Sequence, residues 1–174
     1  NGKVVIKKDK DLKEFKKAAP NAKVLYVSPD DDRYIESIKE NAQNIGKIFD
    51  KENETQSLIK KLDQKVKSVK SKVNDDTVMF ANVDQKGIKT YGKTGRYGGF
   101  LSGDLGIKHI DPDMPANSSG QLVSYEYIAE KNPDIIFYIN RTDDDSKGLP
   151  QELKNPVIKN VSAIKNKDIL KFDS

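Results

Sequence analysis

The sequence has no cysteine and no tryptophan, and His109 is its only histidine. The absence of cysteine excludes disulfides, thiolate metal sites and cysteine nucleophiles. A histidine with no second histidine or cysteine at metal-ligand spacing favours a structural role, because a catalytic base needs partners within hydrogen-bond distance. No stretch approaches the roughly 18 apolar residues of a membrane-spanning helix, and the N-terminus lacks the pattern of a signal peptide.

The chain is very polar, since 35% of its 174 residues are hydrophobic and 33% are charged, with a net charge of +4. Its apolar residues fall into short blocks, which predicts a folded chain rather than a disordered one. Lysines are spread along nearly the whole length, and no zinc-finger or RNP-like pattern is present, which argues against nucleic-acid binding. A modest positive charge suits an anionic small ligand.

Two helices are predicted from apolar residues that recur at spacings of three and four. The first follows three aspartates at 30–32, which we expect to stabilise its N-terminus. The second runs from Glu54 to Asn74 and could join two lobes, because about 20 helical residues span about 30 Å. The apolar positions are Ile35, Ile38, Ala42, Ile45 and Phe49 in the first helix and Leu58, Leu62, Val66, Val69 and Val73 in the second.

After Asp76 the pattern changes to strands that alternate with short helices. We expect Ser124 to cap a helix and Gly106 to end one in a left-handed conformation. The order predicts an α/β lobe whose connections cross over a sheet, separated by the lysine-rich helix from an earlier segment with a strand at 23–27. In this lobe, strands are predicted at 77–83, 89–91, 134–140 and 168–172, and helices at 97–105, 124–131 and 155–163.

Two loop arginines are candidate ligand-binding residues. Arg96 lies in a glycine-rich stretch, 91–100, before a predicted helix whose free backbone amides favour an anion. The stretch matches neither the Walker pattern nor a Gly-x-Gly-x-x-Gly fingerprint, so a tight loop with a solvent-facing arginine is the alternative. Arg141 follows a predicted parallel strand, at the sheet edge where α/β proteins bind ligands. Arginine also offers a planar, multidentate contact that lysine does not replace.

Motifs along the whole chain occur in a recognisable order. They are Asn44-Ile45-Gly46-Lys47-Ile48-Phe49, Tyr91 to Phe100, Asp104-Leu105-Gly106-Ile107, Gly120 to Ile128, Asn132-Pro133-Asp134-Ile135-Ile136-Phe137 with Arg141, and Asn155-Pro156-Val157 through Lys167-Asp168-Ile169. In this order they resemble the class III substrate-binding proteins of ABC iron importers. The resemblance is greatest to the petrobactin or catecholate siderophore-binding lipoproteins of Gram-positive bacteria.

The resemblance implies an α/β fold of two Rossmann-like lobes joined by a long helix. Residues 1–53 would be a remnant of the N-terminal lobe, 54–75 the connecting helix, and 76–174 the C-terminal α/β lobe. We expect the N-terminal lobe to be incomplete and the closing segment at the C-terminus to be missing. The family also implies a monomer at the extracellular face of the cell membrane, held by a lipid anchor that this chain lacks.

In proteins of this family, arginines from both lobes grip an anionic ferric siderophore. Arg96 and Arg141 match the two arginines of the C-terminal lobe, and Lys3 is the nearest match to the one in the N-terminal lobe. Ser119 stands where some relatives carry an iron-binding histidine. The resemblance therefore implies recognition through the siderophore, with no metal ligands from the protein.

Aromatic residues near the arginines are further candidates. Tyr91 and Tyr97 could pack against catechol rings, and for Phe100 packing in the core is an equal alternative. Either Glu126 or Glu130 could contact the permease, and the sequence does not choose between them.

The expected function is that of a non-enzymatic binding protein without a cofactor. It would capture a ferric siderophore, of catecholate type, and deliver it to an ABC permease. One alternative is a nucleotide- or phosphate-handling α/β enzyme that uses 95–99 as an anion loop, although no nucleophile with a base stands out. Another is haem or cobalamin binding on the same scaffold.

Overall fold

The computed structural model describes residues 3–6, 9–30, 32–115, 117, 119–142 and 148–172. The side chains of 3–6, 9–11, 25–26 and 95–96 lie outside this description. The chain opens with strand β1 (Lys3–Ile6), helix α1 (Asp9–Ala18) and strand β2 (Lys23–Tyr26). The two strands pair in parallel. The helix ends before Pro20, whose ring disfavours helical geometry in the preceding residue.

Helices α2 (Tyr34–Ile48) and α3 (Glu52–Lys70) form an antiparallel pair. They approach closely at Gly46, where a Cβ would lie 2.5 Å from the Thr55 hydroxyl oxygen, so only glycine fits without movement. Both helices were predicted from their apolar spacing. The second ends at Lys70, four residues before the predicted end at Asn74, because the chain turns at Ser71 and Lys72.

A six-stranded sheet forms the main part of the fold. Its strands are β3 (Thr77–Asp84), β4 (Gly87–Thr90), β5 (Lys108–His109), β6 (Gln121–Val123), β7 (Ile135–Asn140) and β8 (Ile169–Lys171). The order is β6-β4-β3-β7-β8, with β5 also paired to β3. β3, β5, β7 and β8 are parallel, whereas β4 and β6 are antiparallel to their neighbours. The sequence pattern did not reveal the direction of β4 or the existence of β6.

The sheet is covered on both faces, as the α/β prediction requires. Helix α5 (Tyr125–Lys131), 3₁₀ turns at Gln151–Lys154 and Pro156–Ile158, and helix α6 (Ser162–Asn166) cover one face. On the other face, a cluster of apolar residues gathers side chains from α2, α3, β3, β7 and the segment after β4. Its buried members are Ile35, Val78, Phe80, Tyr91, Leu101, Leu105 and Ile139.

The predicted helix at 97–105 consists of two parts. A short helix α4 (Gly95–Gly98) runs directly into a π-helical turn (Gly99–Asp104), and Gly106 follows at φ +76° as predicted. The predicted helix at 155–163 was wrong as a single element, because Val161 has extended dihedral angles that separate the 3₁₀ turn from α6. Ser124 caps α5 as predicted, since its hydroxyl accepts the Tyr127 N–H at 3.1 Å.

Candidate functional site

Three aromatic rings form a layer on one sheet face, which we term the aromatic floor: Phe80 of β3, Tyr91 after β4, and Tyr97 of α4. The Phe80 and Tyr97 rings stack with centroids 4.4 Å apart and planes inclined by 13°. Tyr91 meets both rings edge-on, at 5.8 Å and 4.8 Å. Tyr91 is 7% exposed, whereas Tyr97 is only partly buried. The floor thus presents Tyr97 to solvent, and direct ligand contact by Tyr91 stays a prediction.

Asn82 lies beside the aromatic floor, two residues beyond Phe80 in the same strand. Its side-chain nitrogen donates to the Tyr91 hydroxyl at 3.1 Å. Its side-chain oxygen is buried and has no hydrogen-bond partner among the residues described. A buried polar atom without a partner costs roughly 1–3 kcal/mol, so, as far as the described residues go, this oxygen is an open acceptor next to the floor.

The loop between β4 and α4 is closed by contacts between backbone atoms. A Cβ at Gly98 would lie 1.6 Å from the carbonyl oxygen of Gly92, and a Cβ at Gly92 would lie 2.5 Å from that of Met114. No other residue fits these positions without a shift of the backbone. The close packing places Tyr97 on the floor and fixes the backbone of its neighbour Arg96.

Arg96 lies in the first turn of α4, and its side chain is outside the described part of the structure. Because β4 runs antiparallel to β3, the loop after β4 returns over the middle of the sheet face, where Tyr97 stacks on Phe80. Arg96 is therefore placed over the sheet face rather than beyond its carboxyl edge. The expected contact between Arg96 and an anion stays a prediction.

Arg141 directly follows β7, at the carboxyl edge of the parallel strands, as the sequence predicts. Its backbone N–H donates to the Val83 carbonyl at 2.7 Å, and its side chain is exposed. Val83 is three residues beyond Phe80, which is about 10 Å along a strand. The fold thus brings the backbones of the two arginine loops to neighbouring parts of one sheet, with β3 between them.

Ser119 and Lys3 differ in their relation to the floor. Ser119 is exposed in a turn, where its backbone N–H donates to the Asn117 side chain at 2.9 Å. The next residue, Gly120, packs on Tyr91, since a Cβ there would lie 3.1 Å from the ring. Ser119 is thus close to the aromatic floor. Lys3 begins β1 in the separate two-stranded sheet, and its side chain is not described.

His109 contacts the backbone of Tyr91, one of the three residues of the aromatic floor. One ring nitrogen, Nε2, lies 2.6 Å from the Tyr91 carbonyl oxygen, and Nδ1 accepts the Asp111 N–H at 3.0 Å. Nδ1 also lies 2.7 Å from the Asp111 carbonyl oxygen, so both ring nitrogens contact backbone oxygens. These contacts tie the end of β4 to the segment after β5, which is a structural role.

A charged network continues from this segment to α5. The Tyr127 hydroxyl donates to the Asp111 carboxylate at 2.9 Å, and the Lys131 ammonium lies 3.1 Å from the same oxygen. Burial alone raises the pKa of Asp111, but the hydrogen bonds from Lys131 and Tyr127 outweigh it and hold that pKa below its usual value. Burial and the Asp111 carboxylate together raise the pKa of Tyr127.

Asp104 joins the site segment to α2. Its carboxylate accepts the backbone N–H of Ile35 at 2.8 Å, across 69 residues of sequence. Of the aspartates expected to stabilise this N-terminus, Asp30 accepts the N–H of Asp32, and Asp31 lies outside the described residues. No side-chain cap is made at Arg33, and the stabilising effect of the aspartate charges stays a prediction. The π-helical turn that begins after Tyr97 thus ends on the N-terminus of α2.

This arrangement offers three kinds of contact to a ligand. It combines a partly exposed aromatic ring, an unpaired amide oxygen and two arginine-bearing loops. Among the residues that the structure describes, no group of histidine, cysteine, aspartate or glutamate is placed to hold a metal ion. Within the same residues, no helix is long and apolar enough to cross a membrane.

The fold is that of a mixed α/β protein, and comparison with known proteins identifies the family. The model of the family described as periplasmic binding protein matches residues 4–174. The chain therefore belongs to the periplasmic binding protein family, whose members are extracytoplasmic substrate-binding proteins of transporters. The predicted resemblance and fold class are confirmed.

Several relatives are named for iron-siderophore binding. The chain is 35% identical to the petrobactin-binding protein YclQ of Bacillus subtilis over 97% of its own length and 53% of that protein. It is 28% identical to the ferric-anguibactin-binding protein FatB of Vibrio anguillarum, over 81% of the chain and 45% of the relative. The chain spans about half the length of these curated relatives.

Solved structures agree with this assignment. The crystal structure of YclQ from B. subtilis superposes with a TM-score of 0.85 at 30% identity, covering 99% of this chain and 61% of that one. The catecholate-siderophore binding protein VctP of Vibrio cholerae gives a TM-score of 0.82 at 25% identity, with 98% of this chain and 63% of that one covered.

The sequence analysis missed three residues that build the site. Asn82 is a polar residue inside the otherwise nearly continuous apolar run of β3, and this interruption could have drawn attention to it. Asp104 was noted only as part of a family motif. Phe80 looked like any buried strand residue, because the stacking on Tyr97 depends on a loop conformation that spacing does not reveal.

Proposed function

We propose that this protein captures a ferric siderophore of catecholate type and delivers it to the permease of an ABC importer. The observation that carries the proposal is the 35% identity to a petrobactin-binding protein over 97% of the chain. The whole proposed activity is that of a binding component, without a catalytic step or a resident cofactor.

The residues of the site suit such a ligand. A tris-catecholate ferric complex is trianionic, and the guanidinium groups of Arg96 and Arg141 would donate charge-assisted hydrogen bonds to its oxygens. Tyr97 would contact a catechol ring, and Tyr91 would support Tyr97 through their edge-on ring contact. Ser119 offers a hydroxyl rather than an iron ligand, and Lys3 would supply a further positive charge.

The cellular setting belongs to the same proposal. By analogy with the family, we place the protein as a monomer on the extracellular face of the membrane, held by a lipid anchor. The N-terminal lobe segment would be residues 1–53, the connecting helix residues 54–75, and the C-terminal lobe residues 76–174. Glu126 and Glu130 are exposed on α5 and are candidates for permease contact.

The proposal is tested by titrating the protein with a ferric tris-catecholate complex and following tyrosine fluorescence, since tryptophan is absent. Arg96→Ala and Arg141→Ala should each weaken binding by about 10- to 100-fold, the cost of losing a hydrogen bond to a charged group. Binding should be absent in the double variant.

Arg33→Ala is the matched control, because Arg33 is the third arginine of the chain and pairs with Asp30 and Glu40 on the surface. It should leave the affinity unchanged. Saturable binding of ATP, or no saturable response to catecholate, hydroxamate or citrate complexes, would overturn the proposal. The first result would favour the nucleotide-handling alternative.

A further inference from the structure

Helix α3 and the turn after it carry a local excess of positive charge. Residues 52–74 contain six lysines, all between 60 and 72, and three acids, of which Glu52 and Glu54 lie in the first turn of the helix and Asp63 lies among the lysines. All six lysines are exposed, and none is within ion-pair distance of an acid among the described residues. The single aspartate, Asp63, is paired with Lys39 of α2 at 2.9 Å.

Five exposed residues follow one another along α3 and the turn after it, and we call them the lysine stripe: Leu58, Lys61, Lys65, Val69 and Lys72. Spacings of three and four place the first four on one face of the helix, and Lys72 follows in the turn after Lys70. Leu58 is 65% exposed and Val69 is 41% exposed. The helical part, from Leu58 to Val69, covers about 17 Å, at 1.5 Å for each residue. The stripe thus mixes uncompensated positive charge with exposed apolar side chains.

An apolar hollow adjoins the C-terminal end of the lysine stripe. It has a volume of about 270 Å³ and is lined by both Val69 and Lys72 of the stripe. Its other walls are mainly apolar and include Val73, Ile107, Ile135 and Phe137. The apolar character of this surface therefore extends beyond the two exposed residues of the helix.

We propose that the lysine stripe binds an anionic lipid surface. Lysines attract acidic headgroups, and exposed apolar side chains enter the boundary between headgroups and acyl chains, which is how interfacial helices bind. A soluble polyanion would require the lysines but would gain nothing from Leu58 and Val69. The stripe consists of residues outside the proposed ligand site, so this inference does not depend on siderophore capture.

The test is co-sedimentation of the protein with vesicles of mixed phosphatidylglycerol and phosphatidylcholine, compared with pure phosphatidylcholine. Binding is expected only to the anionic vesicles and should weaken at high salt. The triple variant Lys61→Glu, Lys65→Glu, Lys72→Glu should lose roughly 100-fold in vesicle affinity or more, because each lysine near an anionic membrane contributes about fivefold.

Two further variants make the test specific. The control is a second triple variant at exposed lysines elsewhere, Lys154→Glu, Lys159→Glu, Lys165→Glu, which changes the net charge by the same amount. It should retain at least a tenth of the vesicle affinity of the wild type. Leu58→Ser with Val69→Ser leaves every charge in place and should weaken vesicle binding severalfold. Circular dichroism melting and the ferric-complex titration, measured on every variant, separate loss of fold and loss of siderophore binding from loss of membrane binding.

Three outcomes would overturn the inference. The first is absence of binding to anionic vesicles, and the second is equal loss in the two triple variants. The third is full binding by the serine variant together with displacement by inorganic polyphosphate, which would identify a site for soluble polyanions instead.

Discussion

Asp104 caps a helix that lies far from it in sequence. Removing an N-terminal capping side chain costs about 1–2 kcal/mol. We expect Asp104→Ala to lower the free energy of unfolding by this amount, because the Ile35 N–H would lose its acceptor. Urea denaturation measures the change. Asp113→Ala removes an exposed carboxylate in the segment after β5 and should have little effect, and an equal loss in both variants would argue against capping.

Tyr127 should govern part of the stability at alkaline pH. Its folded-state pKa is raised by burial and by Asp111, so its contribution is present below the ordinary value of about 10 and is lost as pH rises further. Tyr127→Phe should cost about 1–2 kcal/mol at neutral pH, through the hydrogen bond to Asp111. Above pH of about 10 its stability should fall less steeply than that of the wild type.

Urea midpoints measured across this pH range provide the check. Tyr125→Phe is the control on the same helix, because it leaves the hydrogen bond from Tyr127 to Asp111 in place. Both variants retain Tyr138, whose pKa burial also raises, so some loss at high pH remains in each. A Tyr127→Phe slope identical to that of the wild type would contradict the assignment.

Single residues differ in how far sequence reveals their roles. The Ser124 cap could be predicted, because it depends on residues three positions apart. The Asp104 cap could not, because its partner is 69 residues away and is set by the fold. Arg96 and Arg141 were identified by residue type and family motif, whereas the unpaired oxygen of Asn82 became visible only in the structure.

At the scale of elements, the segment from β4 to the π-helical turn depends on two glycines in contact. Gly98→Ala should cost about 3 kcal/mol or more, because its Cβ would overlap the Gly92 carbonyl. The same change should weaken ferric-complex binding, since the loop that carries Arg96 must move. Gly103→Ala is the matched control in the adjoining turn, where nothing lies within 4 Å of a Cβ. Chemical denaturation and the tyrosine titration report the two effects.

The elements themselves were mostly predictable, and their arrangement was less so. Buried runs such as β3 and β7 have a clear apolar pattern, and α2 and α3 have helical spacing. The antiparallel direction of β4 follows from a two-residue connection after Asp84, with Gly87 at φ +122°. A connection this short can only form a hairpin between antiparallel strands. The predicted strand began at Lys89, which made the connection look longer and hid the hairpin.

For the whole molecule, α2 packs with the sheet unit although the predicted boundary places it in the earlier lobe. Ile35 is buried in the same apolar cluster as Phe80 and Leu101. We expect Ile35→Ala to lower the free energy of unfolding by about 3 kcal/mol. Ile38→Ala, at a site 37% exposed, should cost less than about 1 kcal/mol. Unfolding followed by both tyrosine fluorescence and circular dichroism should give one coincident transition.

Two separate transitions, with Ile35→Ala affecting only the earlier one, would instead support independent units.

The family motifs could predict the class of molecule because they occur in order along the chain. They could not predict this attachment of α2, which depends on contacts of Ile35 and Tyr34 with the π-helical turn. Local patterns describe elements well, while contacts between distant elements require the folded chain.

The single histidine has a practical consequence for following the proposed ligand. Because His109 is the only imidazole and touches the Tyr91 carbonyl, its ring protons would give one isolated pair of NMR resonances that report on the aromatic floor. Movement of the floor could therefore be observed in the unlabelled wild-type protein, without the introduction of a probe at the site itself.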